Sequence, residues 1–157
     1  MDQRLRWKRM VAIFMLSYAV FCYNISFCRA LNTEGMALLK FKERVSKDPF
    51  NALSSWDFSV VGSNSCSWLG VKCSNGKVVT LNLRDLCLEG KLAPELRQLT
   101  HLKSIILRNN AFRGTIPEEI GELKELEVLD LGNNNLGGPL PSFFHKKIVH
   151  VNPLTRQ

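Results

Sequence analysis

Hydrophobic positions recur with a step of 24 residues through the second half of the chain. Seven columns keep this step over three copies, and their first-copy members are Val78, Leu81, Leu83, Leu88, Gly90, Leu92 and Leu96. An amphipathic helix does not explain the pattern, because glycine and proline stand at fixed places within the copies. The spacing predicts a stacked repeat in which each copy buries the apolar edge of its neighbour.

The copies follow the template LxxLxLxxNxLxGxIPxxI, which is typical of a leucine-rich repeat. Its L-x-L core predicts a short strand whose leucines point inward. The amides of Asn110 and Asn134 are placed to bond backbone groups where the chain leaves the strand, and Pro117 and Pro141 favour an extended return segment. We predict an α/β leucine-rich repeat solenoid with three 24-residue repeats over residues 78–144 and a short parallel β-sheet on its concave face.

Residues 31–77 are predicted to form an N-terminal helical cap, because the apolar edge of the first repeat would otherwise face water. A helix that begins near Asn32 or Thr33 carries an apolar stripe, with charged residues outside it. The stripe comprises Ala37, Leu38, Leu39, Phe41 and Val45. We interpret Trp56 and Trp68 as packing residues of the cap; glycan stacking is the alternative for such rings.

Cysteine usage predicts one disulfide and one free thiol. The chain has five cysteines, of which Cys66, Cys73 and Cys87 lie outside the first thirty residues. Cys66 and Cys73 are the nearest pair and bracket a short loop, so we predict that they form a disulfide that staples the cap. A structural zinc site would need four ligands, and no histidine lies near this pair.

The first thirty residues have the layout of a secretory signal peptide. Residues 1–9 are basic, residues 10–28 carry no charged side chain, and Ala30 offers a small-residue cleavage position. We predict a signal peptide over residues 1–30, with a retained signal anchor as the alternative, since this apolar run is just long enough to span a bilayer. The remainder is expected in the secretory pathway, in the apoplast or at the cell surface, without membrane insertion after cleavage.

The net charge of +7 does not indicate a nucleic-acid partner. Residues 1–30 carry five of the 21 Lys and Arg residues and one of the 14 acids, so 16 bases and 13 acids remain. A balance of that kind lacks the basic footprint of a nucleic-acid-binding domain. Residues 145–157 leave the repeat pattern, and we predict an irregular tail there.

Four features together carry a family resemblance. They are the motif E-x-x-A-L-L-x-F-K from Glu34 to Lys42, L-x-x-W from Leu53 to Trp56, C-x-W-x-G-V-x-C from Cys66 to Cys73, and the repeats with G-x-I-P. With them the chain resembles plant-type leucine-rich repeat proteins, and specifically the N-terminal part of the ectodomain of a plant leucine-rich repeat receptor-like kinase. The stretches 81–90, 92–96 and 104–110 are similar to the MALE DISCOVERER-type receptor kinases. The resemblance implies plant-type repeats and the sensing of a ligand or partner at the cell surface.

Full-length receptors of that kind continue into a protein kinase domain, but no such motif occurs in this sequence. It contains no Gly-rich phosphate loop, no V-A-I-K-like strand and no H-R-D catalytic loop. His101, His145 and His150 form no triad or metal-ligand spacing. We therefore predict no catalytic activity, no cofactor and no metal. Two alternatives to a recognition module stay open, namely a soluble inhibitor or decoy of the wall-enzyme-inhibitor type, and the N-terminal part of a membrane receptor Ser/Thr kinase.

Binding is then the expected activity, through outward positions of the predicted strands. The candidate concave surface comprises Asn82, Arg84, Ile106, Arg108 and Asp130. Arg84 and Arg108 share a column, and two stacked guanidinium groups can hold a carboxylate of a protein or peptide partner, such as a receptor kinase ectodomain. The same arginines can instead be neutralised by Asp85 and Asp130. Three strands make a face only about 10 Å across.

Overall fold

The computed structural model describes residues 33–59, 64–139 and 141–142 and the strand at residues 148–150. The predicted signal peptide and the predicted cleavage position lie outside these residues. The regular elements are, in chain order, helix α1 (33–43) and strands β1 (Val45–Lys47), β2 (Val71–Ser74), β3 (Lys77–Asn82), β4 (Glu89–Gly90), β5 (Ser104–Ile106), β6 (Ala111–Gly114), β7 (Val128–Asp130), β8 (Asn135–Leu136) and β9 (Ile148–His150). Short 3₁₀ helices span Ser65–Ser67, Pro94–Gln98 and Glu118–Glu122.

The larger sheet has the strand order β2-β3-β5-β7-β9 and confirms the predicted solenoid. Strands β3, β5 and β7 run parallel, and Leu81, Ile105 and Leu129 lie side by side in register, as the 24-residue step requires. The sheet is wider than three strands, because β2 joins β3 as an antiparallel hairpin at one edge. Asn75 and Gly76 form the two-residue turn of this hairpin, and both have the positive φ angles, 50° and 72°, that such turns favour.

The prediction of an irregular tail over residues 145–157 is wrong for residues 148–150. These residues form β9, which pairs in parallel with β7, with Val149 opposite Leu129. The repeat template hides this strand, because the step from Leu129 to Val149 is four residues shorter than the 24-residue step that separates β5 from β7. With β2 and β9 included, five strands make a face about 19 Å across.

A second sheet with the order β1-β4-β6-β8 lies on the other flank of the repeats and was not predicted. The prediction that Val45 belongs to the apolar stripe of the helix is wrong. Helix α1 ends at residue 43, and Val45 lies in β1, where it pairs antiparallel with Gly90 of β4. Gly90 is required here by space. A Cβ atom at this position would contact the carbonyl oxygen of Arg44 and lie 2.8 Å from the Cα of Val45. The cap therefore docks onto the first repeat through backbone contact.

The core is continuous from the cap into the repeats. Phe41 and Trp56 have ring centroids 6.1 Å apart, and Phe41 lies 5.7 Å from Phe112 of the second repeat. Trp56 and Trp68 stack at 5.6 Å, and only 1% and 2% of their surfaces are exposed. Both indoles are thus packing residues, and neither ring face is open to a glycan.

A hydrogen bond to the first repeat and a disulfide also stabilise the cap. The buried Glu34 of helix α1 accepts a hydrogen bond at 3.0 Å from the backbone N–H of Val78 in β3. Cys66 and Cys73 form the predicted disulfide, with their Cα atoms 5.5 Å apart.

In the part of the chain that the structure describes, no helix has the length and apolar character needed to cross a membrane.

Asparagine side chains hold the turns that follow β5 and β7. The amide nitrogen of Asn110 donates to the carbonyl oxygens of Leu83, Leu107 and Arg108, and its oxygen accepts from the N–H of Leu88. Asn134 repeats the arrangement one rung further along, with its oxygen accepting from Phe112 at 3.0 Å. Each amide thus satisfies backbone groups that have left the strand ladders, as the template predicted.

Candidate functional site

The candidate concave surface lies at the carboxyl ends of the parallel strands. Asn82, Ile106 and Asp130 are in register across β3, β5 and β7. All three are half-buried, and Arg84 and Arg108 follow two residues after Asn82 and Ile106 and are exposed. The structure thus places the five residues predicted from the sequence together at the carboxyl ends of the parallel strands.

Both arginines are engaged by carboxylates of the chain itself. The Nε of Arg108 lies 3.2 Å and 3.0 Å from the two carboxylate oxygens of Asp130, and the guanidinium passes over Gly132, where a Cβ atom would lie 3.2 Å from it. The Nε of Arg84 lies 3.0 Å from the carboxylate of Asp85. The neutralised arrangement is therefore the observed one, and a ligand carboxylate would have to compete with Asp85 and Asp130 for these arginines.

A ladder of exposed polar side chains runs beside the arginines. Asn109 donates to the carboxylate of Asp85, and Asn133 donates to the side-chain oxygen of Asn109, each at 2.6 Å. All three residues have positive φ angles between 53° and 60°, a backbone conformation that Asn and Asp tolerate better than other side chains. The signal in the sequence is a column occupied only by Asp and Asn. This ladder stiffens the edge of the concave face.

A second feature lies at the amino ends of the same strands. A pocket of about 330 Å³ is lined by Ser74, Asn75, Lys77, Val79, His101, Lys103 and Glu125. His101 is 2.9 Å from the carboxylate of Glu125. Among the described residues, the ammonium groups of Lys77 and Lys103 have no hydrogen-bond or ion-pair partner. The sequence alone did not predict this pocket, because its column of Lys77, His101 and Glu125 changes residue type in every repeat and shows no pattern.

A third concavity, of about 720 Å³, lies on the flank formed by the second sheet and the 3₁₀ helices. Lys91 and Arg44 stand on its rim with Glu118 and Glu119, and prolines line much of its wall. Arg44 also bonds Glu95 at 3.2 Å. The backbone N–H of Glu95 and then the Arg44 guanidinium lower the pKa of this carboxyl, against the opposing effect of burial.

Chemistry-bearing groups are sparse elsewhere in the described residues. Cys87 is exposed and unpaired there, as the cysteine count predicted. Within residues 33–59, 64–139 and 141–142 no group of three or more His, Cys, Asp or Glu side chains is arranged to hold a metal ion. The sheet face thus has paired charges at the carboxyl ends of its parallel strands and two lysines without an ion-pair partner at their amino ends, an arrangement that can bind a polar ligand.

The fold defines the class of protein, a capped leucine-rich repeat solenoid with parallel strands along one face. The profile described as leucine rich repeat N-terminal domain matches residues 31–74, and the profile described as leucine rich repeat matches residues 101–123 and 125–146. The chain therefore contains a leucine-rich repeat N-terminal domain followed by leucine-rich repeats, as the sequence pattern predicted.

Plant receptor kinases are its relatives. Over 81 residues, 52% of this chain, it is 49% identical to Protein MALE DISCOVERER 2 of Arabidopsis thaliana, of which the match covers 12%. The solved complex PEPR1–AtPEP1 matches with a TM-score of 0.70 and 30% identity over 78% of this chain and 18% of that one. The Arabidopsis receptor kinase HAESA, in complex with the peptide hormone IDA and the co-receptor SERK1, matches with a TM-score of 0.67 and 29% identity over 79% and 21%. The chain thus corresponds to a small part of each relative.

Proposed function

We propose that this chain is an extracellular recognition module that binds a peptide or protein partner through the concave face of its solenoid. The observation that carries the proposal is the five-strand face itself, on which Asn82, Ile106 and Asp130 lie in register with their side chains only half-buried. Solved relatives with this fold are bound to a peptide hormone and a co-receptor. A partner of one of these two kinds is therefore the natural occupant.

Binding without catalysis is part of the proposal. Its support is the pairing of charged groups at the carboxyl ends of the parallel strands, where Arg108 is paired with Asp130, and Asp85 with Arg84 and Asn109. The guanidinium groups of these arginines stay protonated, so they can hold an anionic or polar partner but do not exchange protons near neutral pH.

Action outside the cell is supported by two features of different kind. The apolar stretch of residues 10–28 after a basic start is typical of a secretory signal, and the Cys66–Cys73 disulfide is typical of an oxidising compartment. The proposed site of action is the apoplast or the outer face of the plasma membrane.

The test is partner capture by the purified chain from the apoplastic and membrane fractions of plant tissue, with quantitative mass spectrometry. An Ile106→Asp, Arg108→Ala variant alters the concave face, and an Arg97→Ala variant serves as control, because Arg97 is exposed on a 3₁₀ helix of the repeat's return segment. We expect proteins that the wild-type chain and the control capture equally and the concave variant loses. Equal capture by all three chains would overturn the assignment to the concave face.

Direct binding of the purified chain to a purified SERK1 ectodomain is measured as an independent experiment. Binding that depends on Ile106 and Arg108 would identify a co-receptor as partner, whereas a peptide partner is expected to appear only in the capture experiment. Loss of all specific capture by folded wild-type chain would overturn the proposal as a whole.

A further inference from the structure

We infer that the pocket at the amino ends of β3 and β5 binds a carboxylate of an acidic segment of the partner polypeptide, with Lys77 and Lys103 as the anion-binding groups. The inference deepens the proposed function and rests on it. It states that the partner is acidic and that the contact lies at the amino ends of the parallel strands, whereas the two arginines lie at their carboxyl ends.

The repeat register brings the cations of this pocket together. Lys77, His101 and Glu125 stand 24 residues apart in one column, and Val79 and Lys103 stand 24 apart in a neighbouring one. The backbone confirms the second alignment, because the N–H of Lys103 donates to the carbonyl oxygen of Val79 at 2.9 Å. Both lysines therefore approach the same concavity of about 330 Å³ from adjacent rungs.

The lysines differ from the arginines in forming no ion pair with a carboxylate of the described residues. Arg84 and Arg108 are each within 3.0 Å of a carboxylate oxygen. Lys77 is half-buried and Lys103 is exposed, and no carboxylate of the described residues lies within ion-pair distance of either. Two like charges facing one concavity repel each other, and an incoming anion relieves that repulsion while it forms charge-assisted hydrogen bonds.

The charge changes sign along the stack, which confines the anion to the first two rungs. The third rung carries Glu125 and Glu127 at the two columns that hold the cations in the earlier rungs. Glu125 is hydrogen-bonded to His101 at 2.9 Å, so one of its carboxylate oxygens already has a partner. A carboxylate is thus attracted between Lys77 and Lys103 and repelled beyond them.

Apolar groups next to the lysines favour a polypeptide over an acidic polysaccharide. Val79 lines the pocket, and Ile106 and Val128 lie further along the same face, all three half-buried. A peptide can place an aliphatic side chain on these groups beside its carboxylate, and the burial of apolar area adds to the electrostatic attraction. A polyuronate carries carboxylates without such side chains.

The test measures binding of a defined probe by chemical-shift changes of the ¹⁵N-labelled full chain. The probe is the tripeptide Asp-Ile-Asp with acetylated and amidated ends, and Asn-Ile-Asn is its uncharged counterpart. We expect saturable shifts of backbone amides in 74–79 and 101–103 with the acidic peptide only. The Lys77→Gln, Lys103→Gln variant should weaken binding about tenfold, which corresponds to two exposed ion pairs.

The matched control is the Lys47→Gln, Lys124→Gln variant, which removes two exposed lysines outside the pocket with the same change in net charge. It should bind as the wild type does. Equal weakening by both double variants, or equal binding of the uncharged peptide, would overturn the inference. So would the absence of saturable shifts, or binding by the wild type that does not weaken between low and high salt, an arm that needs no variant.

Trigalacturonate is titrated in a parallel arm, and tighter binding of it than of the acidic peptide would transfer the pocket to a polysaccharide and overturn the choice of partner. The same variants are then used in the partner-capture experiment. Retained capture without tripeptide binding would overturn the lysine pocket alone, whereas loss of capture in the folded wild-type chain would overturn the proposed function.

Discussion

Replacing Asn110 by alanine would remove three short hydrogen bonds from the turn that follows β5, together with a longer contact that shares one of the two amide hydrogens. Its amide nitrogen lies 2.8 Å, 2.9 Å and 3.3 Å from three carbonyl oxygens, and its oxygen lies 2.9 Å from the N–H of Leu88. The three shortest bonds contribute about 1 kcal/mol each, so we expect a loss of about 3 kcal/mol in the free energy of unfolding. That is a large share of the stability of a domain of this size.

Urea denaturation followed by tryptophan fluorescence measures this loss, because Trp56 and Trp68 are buried and report on the cap. The matched control is Asn135→Ala, in which an exposed asparagine of β8 is truncated with an expected change within about 0.5 kcal/mol. The reasoning would be refuted if Asn110→Ala cost less than about 1 kcal/mol, the worth of one such bond. It would equally be refuted if the two variants were indistinguishable.

An Asn110→Asp variant separates the donors from the volume of the side chain. The carboxylate can still accept from the N–H of Leu88, but it sets a negative charge against the three carbonyl oxygens that Asn110 now serves. The carboxyl's folded-state pKa is then raised, so the destabilisation should be full at pH 7 and should lessen as the pH falls through that raised value. A gap between this variant and the wild type that stays constant from pH 7 to pH 4 would contradict the assignment of the donors.

Three further outcomes follow from the cap and its junction with the repeats. Replacing Cys66 and Cys73 together by alanine should lower the free energy of unfolding by about 2.5 kcal/mol, the loop-closure value for so short a loop, and reduction of the wild type should match it in urea titrations. Gly90→Ala should cost about 1–3 kcal/mol, because its Cβ meets the backbone of the cap next to β1, whereas Gly137→Ala, with nothing within 4 Å, should be tolerated in the same assay. Glu95 has a lowered pKa, so its contribution is present at neutral pH and is lost as the pH falls below the carboxyl's ordinary value of 4.5; Glu95→Gln should therefore flatten the acid limb of a stability-against-pH curve, and an unchanged limb would contradict this.

Periodicity predicted the concave strands because inward positions of a stacked repeat leave no choice of residue class. Leu81, Ile105 and Leu129 had to be apolar, and their common step placed them side by side before any contact was known. The second sheet escaped prediction because β4 and β8 have two residues each, too few to show an alternating pattern. Val45 follows Phe41 at helical spacing, and only its pairing with Gly90 places it in a strand instead.

At the carboxyl ends of the strands, the positions of the residues could be predicted from the sequence, but their side-chain pairing could not. Register alone placed Asn82, Ile106 and Asp130 together, since a pleated sheet with a constant step fixes which residues are neighbours. Whether Arg108 stays free or pairs with Asp130 depends on side-chain rotamers, and the sequence left both outcomes open. The structure resolves this in favour of the pair, helped by the space above Gly132.

Variable outward columns are where this solenoid can differ in surface chemistry from other leucine-rich repeat solenoids. Constant columns are explained by packing, and several charged side chains of the outward columns pair with a neighbour in the adjacent repeat, such as Arg97 with Glu122. Lys77 and Lys103 share one concavity, and no carboxylate of the described residues lies within ion-pair distance of their ammonium groups. Replacing a lysine that forms no ion pair is expected to change the free energy of unfolding little. Two such lysines at one concavity are therefore better explained by binding of a partner than by stability of the fold.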